Sequence, residues 1–153
     1  MKIYLLTHER ELNKATNTGR IVQECLGATV EIVVWQRTEP SAEIIKLVDC
    51  DEIALLYPDG GNSPAESCQD FNKFLLLDAT WQEARKMFNR SPYLQRASRV
   101  SLAIKEPSRY KLRRNQIVAG LSTAECAIEL LRLKEQKGLA ERLSKEFDRF
   151  NTK

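Results

Sequence analysis

The chain has 153 residues, a mass of 17.6 kDa and a formal net charge of +3. This length suits one domain over residues 1–153, with a core large enough to need no disulfide or metal. With 42% hydrophobic and 29% charged residues, and apolar runs of only a few residues, the composition excludes a disordered or fibrous protein and a transmembrane helix.

Short apolar runs alternate with stretches of helical periodicity along the chain. The apolar runs predict five strands, at Ile3–Leu6, Val30–Val34, Ile53–Leu56, Phe74–Leu77 and Val100–Ile104. Helices are predicted at Thr18–Leu26, Pro40–Val48, Thr80–Asn89 and Ser122–Leu133, with a further helical pattern over Leu139–Phe150. This alternation indicates an α/β domain with a mainly parallel sheet of about five strands flanked by helices.

Asp78 directly follows the continuously apolar run Phe74–Leu77, which is typical of a central strand covered on both faces. It therefore lies at the carboxyl end of a strand, where open α/β sheets bind ligands. A carboxylate there can act as a general base or orient a cationic ligand; the alternative, which spacing alone favours slightly, is a turn residue bonded to nearby amides. Capping-box patterns at Thr80–Glu83 and Ser122–Glu125 predict two helix starts.

Cysteine and histidine content excludes several kinds of site. The cysteines, at positions 25, 50, 68 and 126, form no C-x-x-C pair, so we expect no zinc ribbon or redox motif. We expect reduced, buried cysteines in a cytoplasmic protein, since residues 1–6 look like a strand and not a signal peptide. His8 is the single histidine, so we expect no metal site. Phosphate-binding motifs of the P-loop and Rossmann type are absent, so a nucleotide-like ligand must be held in another way.

Positive charge is concentrated in one segment. The thirty residues from Arg85 to Arg114 hold ten basic residues and one acid, a net charge of +9, so the remaining 123 residues carry −6. A solvated basic face is the usual explanation of such a run, but this asymmetry favours a phosphate-rich partner. Seven of the ten are arginines, which suit bidentate phosphate contacts.

The segment Asp78-Ala79-Thr80-Trp81 resembles the D-x-T-W signature of the DTW-domain proteins, which are tRNA-uridine aminocarboxypropyltransferases related to SPOUT-like RNA-modifying enzymes. Further blocks resemble the family in chain order. They are Asn17–Arg20 (N-T-G-R), Trp35–Ser41 (W-x-R-T-E-P), the pair Tyr57-Pro58, Tyr110–Arg113 (Y-x-L-R) and Ser122–Glu125 (S/C-T-A-E). The resemblance covers nearly the whole chain.

The family resemblance implies a reaction, a co-substrate and a fold. S-adenosylmethionine would donate its 3-amino-3-carboxypropyl group to N3 of a uridine in tRNA, at a variable-loop position, and methylthioadenosine would leave. The fold would be SPOUT-like, with a trefoil knot near the C-terminal half. The alternatives are a SPOUT-type RNA methyltransferase that uses the same co-substrate, and a non-catalytic RNA-binding module.

The residues expected at the site fall into three groups. The catalytic candidates are Asp78, Thr80 and Trp81. Asp78 is the candidate base, or else a ligand of the co-substrate amine. For Thr80 the alternative role is helix capping alone, and for Trp81 it is core packing. The candidates for S-adenosylmethionine binding include two helix starts and a glycine that permits close approach. These candidates are Thr18, Gly19, Arg20, Tyr57, Pro58, Asp78, Ser122, Thr123 and Glu125.

The third group would bind tRNA phosphates. Its members are Arg37, Arg85, Lys86, Arg90, Arg109, Lys111, Arg113 and Arg114. For Arg37, a salt bridge to Glu39 within the protein is an equal alternative. We expect tRNA as the partner, no membrane association, and a monomer in preference to an oligomer.

Overall fold

The computed structural model of the protein describes residues 1–15, 17–56, 65–100 and 122–151, with the backbone alone at 65–67. The strands are β1 (Lys2–Thr7), β2 (Val30–Val34), β3 (Ala54–Leu56), β4 (Lys73–Asp78) and β5 (Ser98–Val100). The α-helices are α1 (Gly19–Leu26), α2 (Ala42–Asp49), α3 (Trp81–Asn89), α4 (Pro92–Arg96), α5 (Thr123–Leu133) and α6 (Lys137–Asn151). The predicted α/β class is confirmed.

The five strands form one parallel sheet in the order β2-β1-β4-β3-β5. The apolar run before Asp78 forms the middle strand, β4, as its composition predicts. In the register of β1 with β4, Leu5 lies opposite Leu76 and Thr7 lies opposite Asp78. The predicted parallel sheet is therefore confirmed, and its register places Thr7 and Asp78 side by side at the carboxyl ends of two internal strands.

The sheet buries a hydrophobic cluster on each face. Alternation along β1 sends Ile3 and Leu5 to one face and Tyr4 and Leu6 to the other. The first face is covered by α1, α5 and α6, and the second by α2, α3 and α4. By the same alternation along β4, Asp78 lies on the face covered by α1, α5 and α6.

Local signals in the sequence explain several of the boundaries. Helix α1 ends at Gly27, whose φ of +58° is costly for other residues. Helix α2 begins after Ser41, whose hydroxyl accepts a hydrogen bond from the Ile44 amide at 3.3 Å. Pro92 takes the first position of α4, where its missing N–H costs nothing.

The structure departs from the sequence prediction in two places and leaves one prediction untested. Helix α4 was not predicted, because five residues are too short to show a helical period. Strand β5 begins at Ser98, two residues earlier than predicted, and the rest of the predicted strand lies outside the described residues. Residues 101–121 lie outside them too, so the trefoil knot and the SPOUT-like relation stay predictions.

No disulfide links the four cysteines, all of which belong to the described part of the chain. Cys68 is buried and Cys25 and Cys126 are half-buried, but Cys50 is exposed. The expectation of buried cysteines is therefore wrong for Cys50, which follows the last residue of α2 where the chain turns at the surface. Within the described ranges, no helix is long and apolar enough to cross a membrane.

Candidate active site

At the carboxyl ends of the adjacent strands β1 and β4, the chain connections leave toward opposite sides of the sheet. The chain leaves β1 through α1 to reach β2 on one side, and it leaves β4 through α3 and α4 to reach β5 on the other. Ligands of open α/β sheets bind in the crevice at such a switch point. Thr7 and Asp78 end the two strands and lie opposite each other there.

The Asp78 carboxylate is buried at this switch point, with 4% of the residue exposed, and accepts three hydrogen bonds. Its Oδ2 accepts from Thr7 Oγ1 at 3.2 Å and from Asn17 Nδ2 at 3.1 Å. Its Oδ1 accepts from Thr123 Oγ1 at 2.8 Å. Side chains from β1, from the loop after β1 and from the first turn of α5 thus converge on one carboxylate. We call these four residues the Asp78 cage: Thr7, Asn17, Asp78 and Thr123.

Gly19 closes one side of the cage. A Cβ placed on Gly19 would overlap Asp78 Oδ2, would lie 2.9 Å from Asp78 Cγ and would lie 3.0 Å from Asn17 Oδ1. Any other residue at this position therefore has to displace the carboxylate or the backbone. The glycine permits the close approach expected from the sequence, and the approaching group is the protein's own Asp78.

All three donors to Asp78 are neutral, and no cation in the described part of the chain pairs with it. Burial raises the pKa of Asp78 above its ordinary value, against the opposite effect of the bonds from Thr123, Asn17 and Thr7. Glu11 adds a smaller increase through like-charge repulsion. The site is therefore electrostatically suited to a positively charged ligand.

The start of α5 is tied into the cage. Ser122 and Glu125 form the predicted capping box, with Ser122 N–H donating to Glu125 Oε1 at 3.1 Å and Glu125 N–H donating to Ser122 Oγ at 3.3 Å. The Ala124 amide donates to Thr18 Oγ1 at 3.1 Å. These bonds use amides of a helix start that was expected to bind S-adenosylmethionine. Ser122 and Glu125 therefore act in helix capping, and Thr123 is the member of this block that contacts Asp78.

The start of α3 is capped in the same way. Thr80 N–H donates to Glu83 Oε1 at 2.9 Å, and Glu83 N–H donates to Thr80 Oγ1 at 3.1 Å. Glu83 Oε2 lies 3.8 Å from His8 Nδ1. His8 also stacks on Trp35 with ring centroids 5.7 Å apart. The capping role of Thr80 is therefore observed, and His8, whose Nδ1 accepts from the Arg10 amide at 3.1 Å, lies beside this helix start.

Three of the predicted site residues, Tyr57, Pro58 and Trp81, are aromatic residues or proline. Tyr57 and Pro58 lie outside the described residues. Trp81 is the first residue of α3 and is half-buried. Arg20 is exposed, and its guanidinium donates to the Lys14 carbonyl oxygen at 2.6 Å.

Part of the predicted RNA-binding set lies on one helix. Arg85, Lys86 and Arg90 are exposed on α3 and at its C-terminal cap, and no salt bridge among the described residues neutralises them. We call these three residues the α3 basic face. Arg37 is exposed too, without the alternative salt bridge to Glu39. Arg109, Lys111, Arg113 and Arg114 lie outside the described residues.

Two basic residues of the same segment make contacts with other residues of the protein. Arg96 forms a salt bridge with Asp49 at 3.1 Å, and the Arg99 guanidinium lies 4.8 Å from the centroid of the Phe88 ring. The +9 segment is therefore not a uniform phosphate-binding surface.

Sequence reasoning missed two members of the cage as site residues. Thr7 directly follows the predicted strand Ile3–Leu6, and Asn17 directly precedes the predicted helix Thr18–Leu26. Asn17 Oδ1 accepts a hydrogen bond from the Arg20 amide at 3.2 Å. Its Nδ2 contact with Asp78 spans 61 positions of sequence and depends on the strand order, which local patterns do not encode. No group of three or more metal-ligating side chains occurs in the described ranges.

Comparison with known proteins decides the family. The model of the DTW domain matches residues 1–153. The chain belongs to the DTW-domain family. The family resemblance in the sequence is thereby confirmed.

Curated relatives carry one shared name. The chain is 27% identical over 143 residues to tRNA-uridine aminocarboxypropyltransferase 2 of Drosophila melanogaster, a match that covers 89% of this chain and 57% of that protein. The proteins of the same name from Macaca fascicularis and Mus musculus are 23% and 24% identical, over 88% of this chain and 48% of theirs. The chain thus spans about half the length of these relatives. No solved structure matches it.

Proposed function

We propose that this DTW domain transfers the 3-amino-3-carboxypropyl group of S-adenosylmethionine to N3 of a uridine in tRNA, in the cytoplasm and at a variable-loop position. The observation that carries the proposal is the Asp78 cage, a buried carboxylate at the sheet's switch point within the D-x-T-W segment. The shared name of the relatives supports the reaction class.

The donor set at Asp78 fits part of the proposed co-substrate. S-adenosylmethionine carries a sulfonium and an α-ammonium, and the cage offers a carboxylate with no basic partner among the described residues. A buried anion that lacks a counter-ion is stabilised by a bound cation. The half-buried Trp81, three positions after Asp78, offers a ring on which adenine or a base can stack.

The bond changes define what the protein has to position. When S-adenosylmethionine is bound, it supplies the electrophilic methylene carbon beside sulfur, to which uridine N3 bonds as the carbon–sulfur bond breaks and methylthioadenosine leaves. The N3 proton has to pass to a base. Because three carbons adjoin the sulfur, orientation by the protein selects the carbon that reacts. Asp78 serves this step either as the base that takes the N3 proton or as the anion that orients the cation.

The α3 basic face lies on the helix that begins three residues after Asp78. Its three uncompensated charges suit tRNA phosphates, and such contacts fix orientation without reading sequence. Arg37 and the four basic residues outside the described ranges, Arg109, Lys111, Arg113 and Arg114, complete the proposed phosphate contacts. The target uridine has to leave its stack to reach a buried group such as Asp78.

Product analysis tests the proposal. The protein is incubated with S-adenosylmethionine and unmodified tRNA, and the digested nucleosides are weighed by mass spectrometry. We expect a uridine heavier by one aminocarboxypropyl group. A uridine heavier by one methyl group identifies the alternative methyltransferase instead. Unchanged tRNA that is nevertheless bound identifies the non-catalytic RNA-binding module.

A further inference from the structure

The two oxygens of the Asp78 carboxylate have different surroundings. Oδ2 accepts hydrogen bonds from Thr7 and Asn17, and the backbone of Gly19 leaves no space for even a methyl group beside it. Among the described residues, Oδ1 accepts one bond, from Thr123. A carboxylate oxygen has room for two acceptor contacts, so Oδ1 has one position left while Oδ2 has none.

Asn17 is fixed as a donor to Oδ2. Its Nδ2 donates both to Asp78 Oδ2 at 3.1 Å and to the Glu11 carbonyl oxygen at 2.6 Å, while its Oδ1 accepts from the Arg20 amide at 3.2 Å. A flip of the amide would break all three bonds. Oδ2 therefore has to remain an acceptor, which favours the ionised carboxylate and opposes protonation at this oxygen.

At the neighbouring helix start, two of the first amides are already bonded within the protein. The amides of Ala124 and Glu125 are already bonded to Thr18 and Ser122. The group within reach beside Thr123 is thus the negatively charged Oδ1. A positively charged ligand atom suits this position better than a carboxylate or a phosphate does.

We infer that a positively charged group of S-adenosylmethionine takes the remaining position on Asp78 Oδ1, beside Thr123, so that this oxygen is not free to take the uridine N3 proton. The inference rests on the proposed function and selects one of the two roles left open there. It assigns Thr7, Asn17 and Gly19 to holding the carboxylate ionised and in place. The N3 proton then passes to another acceptor or to solvent.

Three ligands of graded charge test this assignment by calorimetry, without any need for catalysis. S-adenosylmethionine carries both the sulfonium and the ammonium, S-adenosylhomocysteine keeps the ammonium alone, and methylthioadenosine lacks both. Each is titrated into the wild type, Asp78→Asn and Glu141→Gln. The last variant removes one exposed acid on α6, away from the site, and controls for net charge.

We expect Asp78→Asn to weaken S-adenosylmethionine about 10- to 100-fold, the range of a hydrogen bond to a charged group, and to leave methylthioadenosine unchanged. An equal loss for S-adenosylhomocysteine assigns the ammonium to Oδ1, and unchanged S-adenosylhomocysteine assigns the sulfonium. Retained methylthioadenosine binding also shows that the variant is folded. Glu141→Gln should bind all three ligands like the wild type.

Asp78→Asn that binds all three ligands like the wild type, or that weakens all three equally while still folded, overturns the inference. Thr123→Val supplies a second variant if Asp78→Asn does not fold. It should weaken S-adenosylmethionine relative to methylthioadenosine, and an unchanged ratio of the two affinities overturns the inference as well. A wild type that binds none of the three ligands contradicts the proposed function itself, which separates the two failures.

Discussion

The starts of α3 and α5 carry the same capping box at the carboxyl ends of the strands but differ in their surroundings. At α5, Ser122 is fully buried, and the next residue, Thr123, donates to Asp78. At α3, Thr80 is half-buried, and the helix behind it presents the exposed α3 basic face. The same local motif thus begins one helix that contacts a buried carboxylate and another helix that carries an exposed basic surface.

The buried start of α5 suits a small ligand, and the exposed α3 basic face suits a macromolecule. Asp78, beside the start of α5, is buried, whereas the α3 basic face is exposed and suits contact with a phosphate backbone. We therefore expect substitutions at the cage to change the chemical step and co-substrate affinity. Substitutions on the α3 basic face should change tRNA affinity and its salt dependence.

The largest effect is expected at Gly19. Gly19→Ala places a methyl group on the Asp78 carboxylate, which should cost about 1–3 kcal/mol of stability. A shift of the carboxylate by about 1 Å should lower transferase activity about 100-fold. Gly138→Ala on α6 is the matched control, because a Cβ there meets nothing within 4 Å. Unfolding curves and initial rates check both variants, and a Gly19→Ala protein as active as Gly138→Ala would refute the cage.

The second prediction concerns the α3 basic face. Replacing Arg85, Lys86 and Arg90 together by alanine should weaken tRNA binding, because three phosphates would no longer be neutralised by the protein. The slope of log affinity against log salt should fall by up to about 3, since each such phosphate contributes about one. The measurement is tRNA affinity at several salt concentrations. S-adenosylmethionine affinity should not change.

The control for that triple variant removes the same charge from the opposite face of the sheet. Lys137, Arg142 and Lys145 are exposed on α6, which packs with α1 and α5. Their joint replacement by alanine should leave most of the tRNA affinity intact. Equal loss in the two triple variants would mean that net charge, and not the α3 basic face, governs binding.

The third prediction compares the two caps directly. Ser122→Ala and Thr80→Ala each remove one capping bond, at a cost of about 0.5–2 kcal/mol. Ser122 is fully buried and Thr80 is half-buried, so Ser122→Ala should lie near the upper limit and Thr80→Ala near the lower. Denaturant unfolding of both variants measures the difference. The reverse order of stability would contradict the distinction between the two helix starts.

The smallest expected effect is a dependence of stability on pH. Burial raises the pKa of Asp78 in the folded protein above its ordinary value of 3.8, so the folded state binds more protons than the unfolded state between the two values. Asp78 therefore favours folding most below pH 3.8, and this contribution is lost as pH rises through the raised pKa. The unfolding free energy of the wild type minus that of Asp78→Asn should fall as pH rises, and a rise would contradict the sign.

Much of the fold could be predicted from the sequence because its signals are local. The apolar run of β4, the β-branched run Val30–Val34 and both capping boxes are properties of consecutive residues, and each appears in the structure where it was predicted. Helix α4 was missed because five residues are too few to show a period.

The site was predicted in part, for a related reason. Asp78 was predicted from two signals in consecutive residues, its position after a buried strand and the resemblance of Asp78–Trp81 to the D-x-T-W signature. Thr7 reaches Asp78 only because β1 pairs with β4, and Thr123 only because α5 covers that face of the sheet. Strand order and helix placement depend on the whole chain, so no local pattern in the sequence indicates these partners.

Isotope transfer tests the central claim most directly. The protein and unmodified tRNA are supplied in parallel with S-adenosylmethionine labelled in the methyl group or in the aminocarboxypropyl group, and the label is followed into RNA. We expect the aminocarboxypropyl label to enter tRNA uridine in a one-to-one ratio with released methylthioadenosine, which retains the methyl label. Methyl label in the tRNA, or neither label there, would contradict aminocarboxypropyl transfer.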